Sequence, residues 1–235
     1  MTSLTTIGFD ADDTLWQNEH FYKLTTDRFA ALLGEYASPE RVAATLLESE
    51  KRNLRVYGYG IKGFTLSMIE TAIEVTEGRA PATVISEILS AGREMLRHPV
   101  ETLPHVRETL DALAGEFKLV LITKGDLFDQ ERKLAESGLG ELFAGVEIVS
   151  EKNAATYARA FARFGDGPER AMMVGNSLKS DIVPAIAAGS WGIYIPHALN
   201  WELENADEPT HAPRFRRLEH LGELTPLIDG LKSPL

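Results

Sequence analysis

Thr5-Thr6-Ile7-Gly8-Phe9-Asp10-Ala11-Asp12-Asp13-Thr14 is the stretch on which the fold turns. It opens as a β-prone run and breaks at Asp10 into a turn rich in carboxylates. We read its first half as a strand that ends at Phe9. Four more short, mostly apolar runs lie downstream, at 117–122, 146–149, 171–174 and 191–195. They show little polar alternation, which suits strands buried on both faces of a parallel sheet. Helical patterns separate them at 105–114, 127–137, 153–164 and 182–188. Strand and helix in alternation predict a doubly wound, Rossmann-like α/β fold. Residues 215–218 are predicted to add an edge strand and 221–231 a closing helix.

Residues 17–97 break this rhythm and read as helices without a strand. Ser38-Pro39 has the form of an N-cap followed by proline at the first helical position. Ile61, Phe64, Met68, Ile69 and Ala72 keep helical spacing, as do Val84, Ile88, Ala91 and Met95 after Pro81. The expected division is therefore an α/β core of residues 1–16 and 98–235 with an inserted α-helical domain of residues 17–97. The polar stretch 202–213 is predicted to be a surface loop.

The whole-chain numbers exclude several chemistries. With no cysteine among 235 residues, disulfides, thiolate metal sites and a cysteine nucleophile are ruled out. The formal net charge of -11 disfavours a nucleic-acid partner. No apolar run approaches the roughly 20 residues of a membrane helix, and carboxylates at 10 and 12 arrive too early for a signal peptide. A cytoplasmic protein without a membrane partner is expected. Its oligomeric state is not legible.

Four pieces carry chemistry. Asp10 and Asp12 follow the first strand, and ligands of open α/β sheets bind at the carboxyl ends of strands. Two carboxylates so spaced can divide the labour, Asp10 as nucleophile and Asp12 as general acid/base. The plainer reading is an acidic turn that caps a helix. Thr123 closes the 117–122 run, where its hydroxyl could donate to a phosphate oxygen or simply cap a turn. Lys152 follows the third run and could balance a transferring phosphoryl group; Lys124, next to Thr123, is its rival and a second candidate for substrate binding. Finally, Gly175-Asn176-Ser177-Leu178-Lys179-Ser180-Asp181 leads from a strand into a helix. Asn176 and Asp181 could complete an oxygen-rich Mg²⁺ site begun by Asp10, or Ser180 and Asp181 could merely cap the helix.

Taken in order, these pieces resemble the haloacid dehalogenase superfamily. Its motifs are an Asp-x-Asp-x-Thr loop, a Thr or Ser after the second strand, a Lys, and a Gly-Asp-x-x-x-x-Asp type acidic loop. The resemblance covers the core from Thr5 to about Ile195. It implies a phospho-aspartyl intermediate on Asp10, with Mg²⁺ held by Asp10, the Asp12 main-chain carbonyl and the acidic loop. It also implies that the helical insert is a cap. The chain departs from the pattern at Asn176, where the family usually has Asp.

The resemblance implies Mg²⁺-dependent hydrolysis of small-molecule phosphate monoesters. Dehalogenases of this kind lack an acid at position 12, because a halide leaving group needs no proton, so Asp12 favours phosphate chemistry. The alternatives are a phosphotransferase or mutase, a dehalogenase, and a non-catalytic phosphometabolite-binding protein. Discrimination among phosphorylated metabolites is expected from residues 52–62, where two glycines mark a turn. Arg55 could grip a second anionic group, and Tyr59 offers a ring and a hydroxyl. An ordinary interhelix turn is the plainer reading.

Overall fold

Six strands form one parallel sheet in the order β3-β2-β1-β4-β5-β6 in the computed structural model, which describes residues 3–199 and 201–232. The strands are β1 (Thr6–Phe9), β2 (Lys118–Lys124), β3 (Gly145–Val149), β4 (Ala171–Gly175), β5 (Trp191–Tyr194) and β6 (Phe215–Arg217). This is the predicted doubly wound α/β core, and the expected edge strand is β6, paired in parallel with β5.

Alternation along β1 sets the layers. Ile7 and Phe9 face one side and pack with Leu119, Leu121, Met172 and Val174 under α5 (Val106–Ala114) and α9 (Leu224–Lys232). Val120, Ile122 and Met173 face the other side and pack with Tyr157 and Phe161 of α7 (Ala154–Phe164). Gly8 belongs to this second face. A Cβ there would lie 3.0 Å from the Phe161 ring, so glycine lets α7 press against the central strand.

The chain divides into two units. One comprises Met1–Glu19, Val100–Lys124 and Arg132–Leu235; the other comprises His20–Pro99 with Gly125–Glu131. The second unit draws on α1 (Glu19–Leu32), α2 (Pro39–Tyr57), α3 (Ile61–Val75) and α4 (Ala82–Arg97). Ser38 caps α2 by accepting the Arg41 N–H, with Pro39 behind it. Phe29, Leu33, Leu46, Phe64, Met68, Ile88 and Met95 fill this unit's own core.

Two segments differ from the sequence reading. Asp181 was expected just before a regular helix. Instead Leu178–Ile182 form one wide π-type turn, and α8 (Val183–Ala187) starts only after it. The stretch 202–213 is not simply a solvated loop. It contains a helical turn, Glu202–Glu204, whose last carboxylate is buried. Polarity alone had pointed to solvent; ion pairing and hydrogen bonds take Glu204 inside.

Candidate active site

The register brings the motifs to one edge. Phe9 pairs with Leu121 of β2 and with Val174 of β4, and the Asp10 N–H donates to the Val174 carbonyl at 2.9 Å. The loops after β1, β2 and β4 therefore leave the sheet together, at the point where strand order reverses between β1 and β4. That point is where open α/β sheets bind ligands. The first loop turns sharply at Asp13, which takes φ 59°. Aspartate tolerates this left-handed backbone when its carboxylate bonds locally. Here it accepts the N–H groups of Asn18 at 2.9 Å and Glu19 at 3.0 Å. Burial pushes the Asp13 carboxyl up to about 6, against the pull of nearby His197.

Asp10 is buried. Its Oδ1 accepts from Lys152 Nζ, and its Oδ2 accepts from the Thr14 hydroxyl at 3.3 Å. Lys152 also donates to Asp181 Oδ1 at 2.7 Å, so one buried ammonium bridges two buried carboxylates. Burial and the neighbouring Asp181 charge push Asp10 up to about 7, although Lys152 pulls the other way. Burial alone would pull Lys152 down, but Asp10 and Asp181 outweigh it and hold the ammonium above its usual range. Asp181 Oδ2 accepts the Ser177 N–H at 2.9 Å. A Cβ at Gly175 would stand 2.3 Å from that oxygen, so glycine makes this folding-back of the loop feasible.

Asp12 is more open and held by different partners. Its Oδ1 accepts from Trp16 Nε1 at 2.8 Å and from Lys133 Nζ at 2.9 Å. Lys133 also donates to Asn18 Oδ1 at 2.9 Å. The two carboxylates thus sit in distinct environments, which is how one site runs both nucleophilic and acid/base chemistry. Trp16 and Lys133 were not singled out from the sequence. Trp16 is four residues beyond Asp12 in the same loop, a spacing that could have flagged it. Lys133 lies within α6 (Leu127–Ser137), with no motif around it.

Asn176 decides how a cation fits. Its outer amide atom lies 3.1 Å from Asp10 Oδ2, 3.1 Å from the Asp12 main-chain oxygen and 3.2 Å from Thr14 Oγ1. As nitrogen, that atom donates to all three. As oxygen, it faces the Asp10 and Asp12 acceptors and needs a cation among them. Adjacent ligands of octahedral Mg²⁺ are about 3 Å apart, since each bond is about 2.0–2.1 Å. The 3.1 Å spacings of Asn176 Oδ1 from Asp10 Oδ2 and from the Asp12 main-chain oxygen match that. The three oxygens are a carboxylate, a main-chain carbonyl and a side-chain amide, a donor set of the kind a hard cation such as Mg²⁺ accepts. Asp181 gives its oxygens to Lys152 and Ser177 rather than to this group.

The remaining predicted residues are distributed as follows. Thr123 is buried at the end of β2, one step beyond the level of Asp10. Lys124 turns to Glu204 Oε1 at 2.6 Å and Ser180 Oγ at 2.7 Å, whereas it is Lys152 that contacts Asp10. Arg55 is exposed in the last turn of α2, and Tyr59 is half-buried between Gly58 and Gly60. Two other cations of that segment are engaged within the second unit. Arg52 approaches Glu74 at 3.7 Å and Lys62 pairs with Asp126 at 2.9 Å.

A family model of haloacid dehalogenase-like hydrolases matches residues 4–189. The chain is similar to glyceraldehyde 3-phosphate phosphatase of Methanothermobacter thermautotrophicus. It is 29% identical to that protein over 217 residues, covering 87% of this chain and 89% of the relative. A crystal structure of a haloacid dehalogenase-like hydrolase from Xanthomonas campestris superposes with a TM-score of 0.86 at 45% identity. That match covers 97% of this chain and 92% of the other. A 2-haloacid dehalogenase from Pseudomonas syringae pv. Tomato matches with a TM-score of 0.61 at 22% identity, covering 98% of this chain and 100% of that one. This last likeness is of fold alone.

Proposed function

The chain belongs to the haloacid dehalogenase-like hydrolase family, and from that premise we propose that it hydrolyses small-molecule phosphate monoesters with Mg²⁺, through Asp10. The observation that carries this reading is the separation of two carboxylates. Asp10 is buried on Lys152, and the more open Asp12 is held by Trp16 and Lys133.

In the first half-reaction an Asp10 oxygen attacks phosphorus, the bond to the ester oxygen breaks, and Asp12 gives that oxygen a proton. In the second, Asp12 takes a proton from water as the water attacks phosphorus, and the carboxylate of Asp10 is released. Lys152 holds Asp10 in place and offsets charge on the transferring group. Bound at Asp10, the Asp12 carbonyl and Asn176, Mg²⁺ would supply charge neutralisation to the phosphoryl oxygens. Thr123 is suited to donate to one of those oxygens. Arg55 and Tyr59 remain candidates for recognising the rest of the substrate. The archaeal relative makes triose phosphates the first substrates to test.

Release of inorganic phosphate from a panel of phosphorylated metabolites, with Mg²⁺ and with chelator, tests the proposal. Phosphate should appear only with the metal. Within that assay, Asp12→Asn should slow esters of poor leaving groups by about 10²–10⁴-fold, the usual worth of general acid/base help. A nitrophenyl ester, which needs less protonation, should lose much less. Equal losses would make Asp12 structural.

One observation favours a second reading. If the Asn176 amide presents its nitrogen, it satisfies Asp10, Asp12 and Thr14 without any cation, an arrangement open to metal-free dehalogenation. Asn176→Asp separates the two. On the Mg²⁺ reading, it places a further carboxylate beside Asp10. Mg²⁺ should then be needed at lower concentration for half-maximal rate, and it should raise the melting temperature of the variant more than that of the parent. An unchanged metal requirement with no larger Mg²⁺-dependent rise in melting temperature would remove Asn176 from the cation's shell.

A further inference from the structure

Glu204 lies 23 residues beyond Asp181 and outside every motif, yet its carboxylate is buried among groups of the acidic loop. Its Oε2 accepts from Ser177 Oγ at 2.7 Å and from Ser180 Oγ. Its Oε1 accepts from Lys124 at 2.6 Å. Lys124 in turn donates to Ser180 Oγ at 2.7 Å, which closes a ring of polar contacts. Burial works against the charge of Glu204, but Lys124 and the two serines outweigh it and keep the carboxyl below its usual range. The loop is tied to the same turn a second time, because Lys179 Nζ donates to the Leu203 carbonyl at 2.7 Å.

The grip on the serines matters because of what they hold. Ser177 Oγ accepts the Ser180 N–H at 2.9 Å, which closes the first half of the wide turn. The Ser177 N–H fixes Asp181 Oδ2, Asp181 Oδ1 takes Lys152, and Lys152 takes Asp10. The π-type turn opens on Ser177, whose carbonyl accepts the Asp181 N–H at 2.9 Å and the Ile182 N–H at 3.2 Å, so whatever holds Ser177 places the start of the turn. We infer that Glu204 is a positioning residue which, by clamping Ser177 and Ser180, sets the Asp181–Lys152–Asp10 array. It touches neither the phosphoryl site nor the cation's ligands; it works through the loop. The activity arm of this inference rests on the phosphatase reading, and the exchange arm does not.

The competing account is that Glu204 merely neutralises Lys124. The test compares the parent with Glu204→Gln, Lys124→Met and the double variant. One readout is hydrogen exchange of residues 176–182 in chelator, with β1 and α7 as internal references. The other is steady-state hydrolysis of 4-nitrophenyl phosphate with Mg²⁺. Loss of charge-assisted hydrogen bonds in Glu204→Gln should lower kcat by about 10- to 100-fold. KM should stay within about twofold, because no substrate contact is removed. Exchange should accelerate across 176–182 and leave β1 and α7 unchanged, and it should stay fast in the double variant. Parent-like exchange of 176–182 in Glu204→Gln would overturn the inference. So would a double variant that regains parent exchange, because Glu204 would then be only the charge partner of Lys124. Should the parent release no phosphate from any ester, the phosphatase reading fails, and the exchange comparison still decides the role of Glu204.

Discussion

Asp10→Asn should slow turnover by roughly four orders of magnitude or more, the scale seen when a nucleophile is removed, while the protein keeps its fold. The amide cannot displace an alkoxide, and no second carboxylate stands in its position, since Asp12 is held on Trp16 and Lys133. The stability effect runs the other way. Asp10 titrates near 7 in the folded chain against an ordinary value of 3.8. Between those values the native state binds more proton than the unfolded one, so stability falls as pH rises through the window. Asp10→Asn removes that slope and leaves Lys152 paired one-to-one with Asp181. In chelator at pH 8 the variant should melt at or above the parent temperature. Calorimetry beside a phosphate-release assay checks both halves. A variant that is inactive because it melts far below the parent would not count as support.

Lys152→Met should damage both activity and stability, and far more than Lys124→Met. Lys152 is buried between two carboxylates, so its loss leaves Asp10 and Asp181 without a cation. Breaking a buried pair from one side costs about 3–5 kcal/mol. For a chain of this size that is roughly 10 °C in melting temperature. The loss should be smaller at pH 5 than at pH 8. Without the ammonium Asp10 rises further above its unfolded value and takes up a proton as pH falls, which restores stability on the acid side. Turnover at neutral pH should fall by several orders of magnitude, because the nucleophile is then more fully protonated than in the parent and no longer oriented. Lys124→Met leaves Asp10 and Lys152 in contact and should cost activity only modestly. Melting curves at two pH values, with rates for both variants, check the prediction. If Lys124→Met proved the slower enzyme, the central cation would be Lys124.

The sheet was legible because its strands are short apolar runs between helical periods, and parallel strands buried on both faces leave that trace. The helical insert was legible for a similar reason. Ser38-Pro39 and the 61–72 spacing are local signals, and α2 and α3 answer to them. Asp10, Asp12, Thr123, Lys152 and the stretch 175–181 drew attention in the sequence because each lies at or just beyond the end of an apolar run. What the sequence withheld is which side chains meet. Lys124 and Lys152 look alike in sequence. They differ in space because Glu204 takes one and Asp10 the other. Glu204 itself sits in a polar stretch whose composition predicts solvent. Lys133 is one of many charges on an amphipathic helix, and it gains meaning only where it reaches Asp12. Such contacts span 80 to 142 residues of chain, and local periodicity carries no information over that range. The wide turn at Leu178–Ile182 was missed because its cause, a carboxylate folded back against Gly175, is tertiary.

The central claim is that Asp10 attacks phosphorus. Its most direct test is a rapid acid quench of the protein turning over ³²P-labelled 4-nitrophenyl phosphate with Mg²⁺, followed by peptide mapping. The account predicts one hydroxylamine-labile label, on the peptide that contains Asp10, absent from Asp10→Asn and absent when Mg²⁺ is chelated. Steady turnover with no protein-bound label, or a label on any other residue, would contradict it.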